Sequence, residues 1–319
     1  MQRATGTLRT TPKFHRHSIL GLIKVQWLQH KRGLAWALRR SPVRLGKWVA
    51  DYDRPVLHGQ RVIVVLPAYN AESTLERTID ELDRAIVDEL ILVDDGSTDN
   101  TVQTAESLGV RTVQHITNRG YGGNQKTCYR AALDLGADIV VMVHPDYQYS
   151  PLLVPAMAAM IAYGEYDLVL GSRILAQNAI ARGMPRYKYI ANRSLTMIEN
   201  VLMHQKLSEY HTGLRAYSRE LLAGLPLDRN SDNFVFDNQI IAQALAAGAR
   251  IGELSCPTKY HAEASSIGLA PSIRYGVGVL RTAAQYRLHL NGLRSFPYLD
   301  VSPLERAAPA PIPAGVNAS

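Results

Sequence analysis

Short apolar runs alternate with longer amphipathic segments between residues 61 and 146. The runs RVIVVLPAYN, DELILVDD, VRTVQHI and ADIVVMVHPD are rich in Val and Ile and predict four buried strands. The segments AESTLERTIDELDRA, TVQTAESLG and GGNQKTCYRAALDLG predict helices, since Leu75, Ile79 and Leu82 recur at helical spacing in the first of them. This alternation predicts an α/β fold with a doubly wound, mostly parallel sheet flanked by helices.

The second half of the chain is less regular. YDLVLGSRIL predicts a strand, residues 185–205 a helix, HTGLRAYSRELLAGL a strand or turn entering a helix, and NQIIAQALAAGARIGEL a helix and then a strand. SIRYGVGVLRTAAQYRLHL is typical of an amphipathic helix. We expect four parts: a basic helical extension (1–58), a central domain (59–265), a C-terminal helical segment (266–301) and a Pro/Ala-rich, disordered tail (302–319).

The basic charge is concentrated in the N-terminal extension. The whole chain carries +7, but residues 1–58 hold 12 Lys/Arg and only two acids, which leaves the remainder at −3. No apolar run reaches the ~20 residues of a membrane span. Two interpretations of the basic segment SILGLIKVQWLQHKRGLAWALRR stay open: packing on the domain or a partner, and contact with an anionic membrane surface. Nucleic-acid binding is not expected, because no such motif accompanies the basic extension.

The two cysteines, Cys128 and Cys256, lie far apart and lack zinc-binding spacing. This argues against a disulfide framework and favours a reducing compartment. We therefore expect a cytoplasmic protein. Because the N-terminal extension is basic, the alternative prediction is a peripheral protein on the inner face of the membrane.

Polar clusters follow all four predicted strands, at the end where doubly wound sheets bind ligands. They are PAYN, DDGSTD, NRGYGG and HPDYQ, and together they predict a site of nucleotide size. Neither the P-loop nor the G-x-G-x-x-G spacing is present, which disfavours P-loop NTPases and nicotinamide dehydrogenases. The clusters instead supply the acids Asp94, Asp95, Asp99 and Asp146. Carboxylates beside a phosphate need a cation between them, so we expect Mg²⁺ or Mn²⁺.

The segment VMVHPDYQYS carries the fourth strand into polar residues. If it stays extended, His144, Asp146 and Gln148 share one side, because side chains alternate along a strand. Asp146 alone fits a turn or a helix cap equally well. Its position after the fourth strand, with Asp94 and Asp95 on a neighbouring strand end, favours metal binding.

Taken together, VVLPAYNAESTLERTI, ILVDDGSTDNT, NRGYGGNQKTCYRAALDLGAD and MVHPDYQYSP resemble glycosyltransferase family 2, which has the GT-A nucleotide-sugar fold. LVLGSR and HTGLRAYSRELL continue the resemblance, which is nearest to the dolichol-phosphate mannosyltransferase and polyprenyl-phosphate glycosyltransferase branch. It implies an inverting glycosyltransferase of class EC 2.4. Such an enzyme moves a hexose from a UDP- or GDP-sugar to a polyprenyl phosphate or a glycan hydroxyl, with Mg²⁺ or Mn²⁺.

The resemblance also implies roles for individual residues. Those expected to bind the nucleotide sugar are Pro67, Tyr69, Glu72, Asp94, Asp95 and Lys126. Asp146 and Gln148 match the metal motif D-x-D-x-Q, with His144 at its first position. Arg173 in GSR matches a basic residue near the diphosphate or the acceptor phosphate, where its guanidinium suits phosphate.

Two departures from the family pattern leave alternatives open. His144 replaces a carboxylate, and either binds the metal, which would favour Mn²⁺, or hydrogen-bonds a phosphate. Asp237 matches the general base used with hydroxyl acceptors, whereas HPDYQYSP and GLRAYSRELL favour a polyprenyl phosphate. Nearby Asp232 is interpreted as a cap or loop residue.

Two other functional classes compete with glycosyl transfer. A sugar nucleotidyltransferase uses a similar sheet but needs a Gly-rich basic loop after the first strand, which PAYNAES does not supply. A non-catalytic nucleotide-sugar-binding module is the other alternative, and His144 is the residue that favours it.

Overall fold

The computed structural model describes Leu57 and residues 59–176, 179–257 and 269–305. The predicted basic extension therefore lies outside the described residues, as does the end of the predicted tail. The described strands are β1 (Val62–Ala68), β2 (Glu89–Asp94), β3 (Arg111–Gln114), β4 (Ile139–Met142), β5 (Leu168–Ser172), β6 (Arg215–Ser218) and β7 (Ile251–Ser255). The described α-helices are α1 (Glu72–Asp80), α2 (Thr101–Ser107), α3 (Tyr121–Asp134), α4 (Val154–Ala162), α5 (Arg186–Met203), α6 (Arg219–Gly224), α7 (Phe236–Ala246) and α8 (Leu269–Leu290).

The strands form one seven-stranded sheet in the order β3-β2-β1-β4-β6-β5-β7. β6 runs antiparallel to both of its neighbours, and all other neighbouring pairs are parallel. The predicted mostly parallel α/β sheet is thus confirmed. The carboxyl ends of β3, β2, β1 and β4 lie side by side, which brings all four predicted polar clusters to one edge.

The sheet is buried on both faces, which explains the continuous apolar runs. All seven residues of β1 are buried. Ile63 and Val65 face a cluster formed with α3, α7 and α8, whereas Val62 and Val64 face a cluster formed with α1 and α4. A strand covered on both sides needs apolar residues at every position, so its sequence does not alternate.

Helix α4 was not predicted from the sequence. Its residues, VPAMAAMIA, are apolar on every side, so they show no 3.6-residue period against a polar face. α4 packs against β4, β5 and β6 in the apolar cluster on its face of the sheet. The helical hydrophobic period could not predict α4, because a helix surrounded by apolar neighbours has no polar side.

The C-terminal helix α8 packs against α5 and α7 and contributes Val279, Ala283 and Tyr286 to buried positions. Beyond it, the amide of Leu304 donates to the Ala247 carbonyl at 2.9 Å, inside the segment expected to be a tail. None of the described helices combines the length and the hydropathy that a membrane crossing requires. The predicted domain boundaries stay predictions.

Candidate active site

The loops that follow β1 and β2 are joined by hydrogen bonds. Asn70, in the left-handed region at φ 51°, receives an amide hydrogen bond from Thr98 on its side-chain oxygen at 2.8 Å. Its own amide donates to Ser97 Oγ at 2.8 Å. The Glu72 carboxylate accepts from the amide and the side chain of Asn100 at 3.0 and 2.9 Å. Glu72 therefore braces this end of the sheet.

Two of the residues predicted to bind the nucleotide, Tyr69 and Asp94, present groups that can contact a ligand. The Tyr69 ring is 55% exposed at the end of β1 and can stack on a base. Asp94 is fully buried, and its Oδ2 accepts from the amides of Gly96 and Ser97 at 3.1 and 3.0 Å. Its Oδ1 has no hydrogen-bond partner among the described residues. Since a buried oxygen without a partner is costly, a ligand N–H or O–H can be satisfied there. Pro67 lies within β1, opposite Val93.

Asp95 anchors the loop between β3 and α3. Its Oδ1 accepts from the Arg119 amide at 2.8 Å and its Oδ2 from the Gly120 amide at 3.0 Å. His115 Nδ1 lies 2.7 Å from Oδ1, and its other ring nitrogen lies 3.0 Å from Thr127 Oγ1. Both oxygens of the Asp95 carboxylate, which was expected to contact the nucleoside, therefore already accept hydrogen bonds from the protein itself.

The glycines after Tyr121 have no side chain, so the loop of residues 230–232 can pack closely against the start of α3. A Cβ on Gly122 would lie 2.4 Å from the Ser231 carbonyl, and the Gly122 amide donates to the Asp232 carbonyl at 2.8 Å. Lys126 fastens the same loop, since its Nζ donates to the Asn230 carbonyl at 2.6 Å and to Asp232 Oδ1 at 2.7 Å. Lys126 therefore holds this loop in place, and its expected contact with the nucleotide sugar stays a prediction.

The segment after β4 turns, so the expectation of an extended polar ladder is wrong. β4 ends at Met142, and Tyr147 adopts φ 56°, in the left-handed region. The Gln148 amide donates back to Asp146 Oδ1 at 3.1 Å, as in an Asx turn. The metal candidates His144, Asp146 and Gln148 are nevertheless all partly exposed.

Asp237 lies at the centre of a buried polar network. Its Oδ2 accepts from the Tyr121 hydroxyl at 2.8 Å, and its Oδ1 accepts from Gln125 Nε2 at 3.0 Å. The fully buried Arg215 donates to the Asp237 carbonyl at 2.8 Å, and its Nη2 lies 3.5 Å from Oδ2. Burial alone would lower the pKa of Arg215, but Asp237 and nearby tyrosines outweigh burial and raise it. Arg215 therefore stays charged and holds Asp237.

His144 is a neutral imidazole whose tautomer follows from this network. Burial lowers its pKa from the usual value, against the opposing charges of Asp146 and Asp237. The Tyr121 proton goes to Asp237, so the 3.1 Å contact between Tyr121 Oη and His144 Nε2 requires the proton on Nε2. In a neutral ring this leaves the Nδ1 lone pair for a ligand. The ring also stacks on Tyr121, with 5.5 Å between the centroids.

Arg173, at the end of β5, is held by buried acceptors. Its Nε donates to Glu209 Oε1 at 2.8 Å, and its Nη2 donates to the same oxygen and to the His211 carbonyl. Glu209 is fully buried; burial would raise its pKa, but Arg173 lowers it, so it is ionised. Burial raises the pKa of Tyr149 to about 12, and the charges of Arg173 and Asp146 both act on it. The Tyr149 hydroxyl accepts from the Gly213 amide at 2.9 Å, which holds the ring beside Arg173.

A second polar network joins α5, α7 and α8 beside Asp237. Asn238 Nδ2 donates to Glu199 Oε1 at 2.7 Å, and its Oδ1 accepts from the Tyr275 hydroxyl at 2.9 Å. His211 Nδ1 lies 2.9 Å from the same hydroxyl, and its Nε2 lies 3.2 Å from Glu199 Oε2. The last contact has the distance of an ion pair but not the alignment of a hydrogen bond. These residues fix the helices around Asp237.

The donor set fits a hard cation that is shared with a substrate. No three His, Cys, Asp or Glu side chains form a metal-binding group within the described residues. Mg²⁺ is commonly held by one or two carboxylates plus substrate phosphates, and Mn²⁺ accepts imidazole as well as oxygen. Asp146 and the Nδ1 of His144 supply such a partial set, with Gln148 adjacent.

Sequence reasoning gave no role to Tyr121, Gln125, Arg215 or Glu209. The signal for Arg215 was present, because GLRAYS places a charged residue in an otherwise apolar strand, and such a residue is buried only with partners. The others carry no comparable local signal. Tyr121 opens α3 among the glycines of RGYGG, whose spacing is the more conspicuous feature of that segment.

Comparison with known proteins gives a consistent picture. The sequence profile described as Glycosyl transferase family 2 matches residues 63–225. An uncharacterised protein of Methanocaldococcus jannaschii is 30% identical over 64% of this chain and 84% of its own. The UDP-N-acetylglucosamine–dolichyl-phosphate N-acetylglucosaminyltransferase of Methanococcus voltae is 28% identical over 62% of this chain and 86% of its own.

Among solved structures, the chain is similar to glucosyl-3-phosphoglycerate synthase of Mycobacterium tuberculosis, which was solved with Mn²⁺, UDP-glucose and glycerol 3-phosphate. The TM-score is 0.57 at 24% identity, over 75% of this chain and 83% of that one. This likeness supports the fold.

Proposed function

Because the chain belongs to glycosyl transferase family 2, we propose that it transfers a sugar from a UDP-sugar to a polyprenyl phosphate, assisted by Mn²⁺ or Mg²⁺. Family membership supports the glycosyl transfer. The finer assignment draws on the relative from Methanococcus voltae, whose name specifies UDP-N-acetylglucosamine and dolichyl phosphate. A GDP-sugar is the alternative donor.

The donor would bind along the ends of β1, β2 and β4. Tyr69 stacks on the base, and the unfilled Asp94 Oδ1 accepts a hydrogen bond from the nucleoside. Asp146 holds the cation, with His144 Nδ1 and Gln148 beside it. When bound, this cation supplies positive charge that stabilises the departing nucleoside diphosphate. Asp95 and Glu72 keep the surrounding loops in place.

The observation that carries the choice of acceptor is the engagement of Asp237. A general base must have an oxygen within reach of the proton it removes. Here Tyr121 and Gln125 already donate to the two carboxylate oxygens, and Arg215 lies 3.5 Å from one of them. The Asp237 side chain is also only 9% exposed, so a substrate hydroxyl has little access to either oxygen. A phosphate acceptor is already anionic and attacks without a base, so the engaged carboxylate does not hinder it.

Arg173 would position the acceptor phosphate. Its guanidinium is held by Glu209 and the His211 carbonyl, so its planar fork is fixed before the substrate binds. The Tyr149 ring supports it, at 5.7 Å from the guanidinium carbon to the ring centroid. A fixed cation at this position orients the phosphate and offsets its charge as it approaches the diphosphate.

Replacing Asp237 by asparagine is expected to cost less than about tenfold in kcat with a polyprenyl phosphate acceptor, because no base is needed. The comparison is with Asp232→Asn, which changes a neighbouring carboxylate of the same length. Activity is measured at a temperature where circular dichroism shows both variants folded. A loss of about 100-fold or more in folded Asp237→Asn, with Asp232→Asn active, identifies a base and refutes the phosphate acceptor.

A further inference from the structure

Helix α5 has polar residues on its buried side and apolar residues on its exposed side, the reverse of an ordinary surface helix. Its buried side chains are Asn192, Thr196, Glu199 and Met203, three of them polar. Its exposed side carries the large apolar residues Tyr187, Ile190, Met197, Ile198 and Val201, of which Ile190, Met197 and Val201 are 64%, 63% and 67% exposed. A helix on the surface of a water-soluble domain normally shows the opposite arrangement.

The polar inner side of α5 is explained by its contacts. Asn192 donates to Glu209 at 2.8 Å, and Glu199 accepts from Asn238 at 2.7 Å. These contacts support Arg173 and the network beside Asp237. The apolar outer side has no such explanation within the described residues, although Ile190, Met197 and Val201, seven and four positions apart, lie on one side of the helix.

Helix α8 extends the same surface. It packs against α5, and its Gly276 faces Leu195 of α5. Val279 and Ala283 of α8 are buried, whereas Ile273 and Val277, one turn apart, are 61% and 63% exposed. Two adjacent helices therefore present apolar side chains away from the core.

The charges around these side chains have one sign. The two helices contain six Lys/Arg and one acid, and that acid, Glu199, is fully buried. The basic residues are Arg186, Lys188, Arg193, Arg274, Arg281 and Arg287. An apolar surface with basic residues and no exposed acid matches a bilayer that contains anionic lipids. Two copies of this surface would repel each other, which disfavours self-association.

We propose that the outer sides of α5 and α8 form a docking surface for an anionic lipid bilayer. The exposed apolar side chains enter the interfacial region, and the arginines contact the headgroups. The inner sides of the same helices hold the residues next to Arg173 and Asp237, so the bilayer lies on that side of the site. The surface acts without any substrate, so its test is independent of the proposed transfer reaction.

The first test measures partition of the full chain onto vesicles of phosphatidylcholine with added phosphatidylglycerol. The triple variant Arg186→Gln, Arg193→Gln, Arg274→Gln is expected to partition about 100-fold more weakly, at about fivefold for each charge. The matched control, Arg61→Gln, Arg84→Gln, Arg111→Gln, removes the same charge from exposed positions elsewhere. It is expected to stay within about threefold, because charges beyond a Debye length contribute little. Equal losses in both variants overturn the proposal.

The second test reports on the surface directly. Cys128 and Cys256 are fully buried, so an environment-sensitive thiol dye labels an introduced cysteine selectively. The dye on Met197→Cys is expected to shift to the blue with the anionic vesicles. The dye on Ile116→Cys, an exposed position after β3, is expected not to shift.

Two results of the second test refute the proposal. In the first, the emission of the dye on Met197→Cys does not change although the protein binds the vesicles. Binding is then due to another part of the chain. The other result is a dye spectrum already shifted without vesicles. In that case, a doubled mass in light scattering identifies a second copy as the occupant, and an unchanged mass identifies a segment of the same chain.

Discussion

Replacing Asp146 by asparagine is expected to lower kcat/KM for sugar transfer about 1,000-fold. The substitution keeps the shape of the side chain and can preserve the turn that Gln148 closes, but it removes the charge that binds the cation. Loss of an electrostatic group that acts on the leaving group typically costs a factor of about 100 to 1,000, and loss of a cation at least as much. Steady-state rates at saturating Mn²⁺ provide the measurement.

The control for Asp146→Asn is Asp134→Asn, which removes an exposed carboxylate at the end of α3. Its activity should match the parent chain. Mn²⁺ binding in the presence of UDP, followed by electron paramagnetic resonance, should weaken in Asp146→Asn alone. If Asp146→Asn keeps activity within about tenfold and binds Mn²⁺ normally, the cation is held elsewhere.

The second large effect is on stability. Arg215→Met is expected to lower the free energy of unfolding by about 3–5 kcal/mol, because it leaves the Asp237 carboxylate buried without its cationic partner. It also removes the hydrogen bonds from Arg215 to the carbonyls of Thr212, Tyr210 and Asp237, at 2.7, 3.1 and 2.8 Å. Urea unfolding followed by circular dichroism measures the change.

The matched comparison is Arg130→Met. Arg130 also pairs with an aspartate, Asp228, but the two side chains are 54% and 77% exposed. Pairs exposed to water contribute at most about 1 kcal/mol, so this variant should lose no more than that. If the two variants lose the same free energy, the buried pair is not the main support of the site.

Much of the fold could be predicted because buried parallel strands and amphipathic helices leave local patterns. The strands Val62–Ala68 and Ile139–Met142 could be identified from their continuous apolar residues alone. The antiparallel direction of β6 depends on pairing with β4 and β5, which are distant in sequence, so no local pattern specifies it. Helix α4 was missed for a related reason, since complete burial removes the period.

The candidate site was predictable in its location but not in its connections. Strand ends in a parallel sheet converge, so the order of strands and polar clusters along the chain is enough to place Asp94 and Asp146 at one edge. Which partner each acid takes is decided in three dimensions. Asp95 and Lys126 fasten loops, and Asp237 is engaged by Tyr121, Gln125 and Arg215, which lie 116, 112 and 22 positions away. The sequence alone therefore left its role as a base open.

The central claim is transfer of sugar to a lipid phosphate, and the most direct measurement compares two acceptors of equal chain length. Undecaprenyl phosphate and undecaprenol are each incubated with the protein, Mn²⁺ and radiolabelled UDP- or GDP-sugars, and the lipid fraction is counted. The account predicts label in the lipid only with undecaprenyl phosphate, and none after the cation is chelated. Label on undecaprenol, or none on either lipid with any donor, would contradict it.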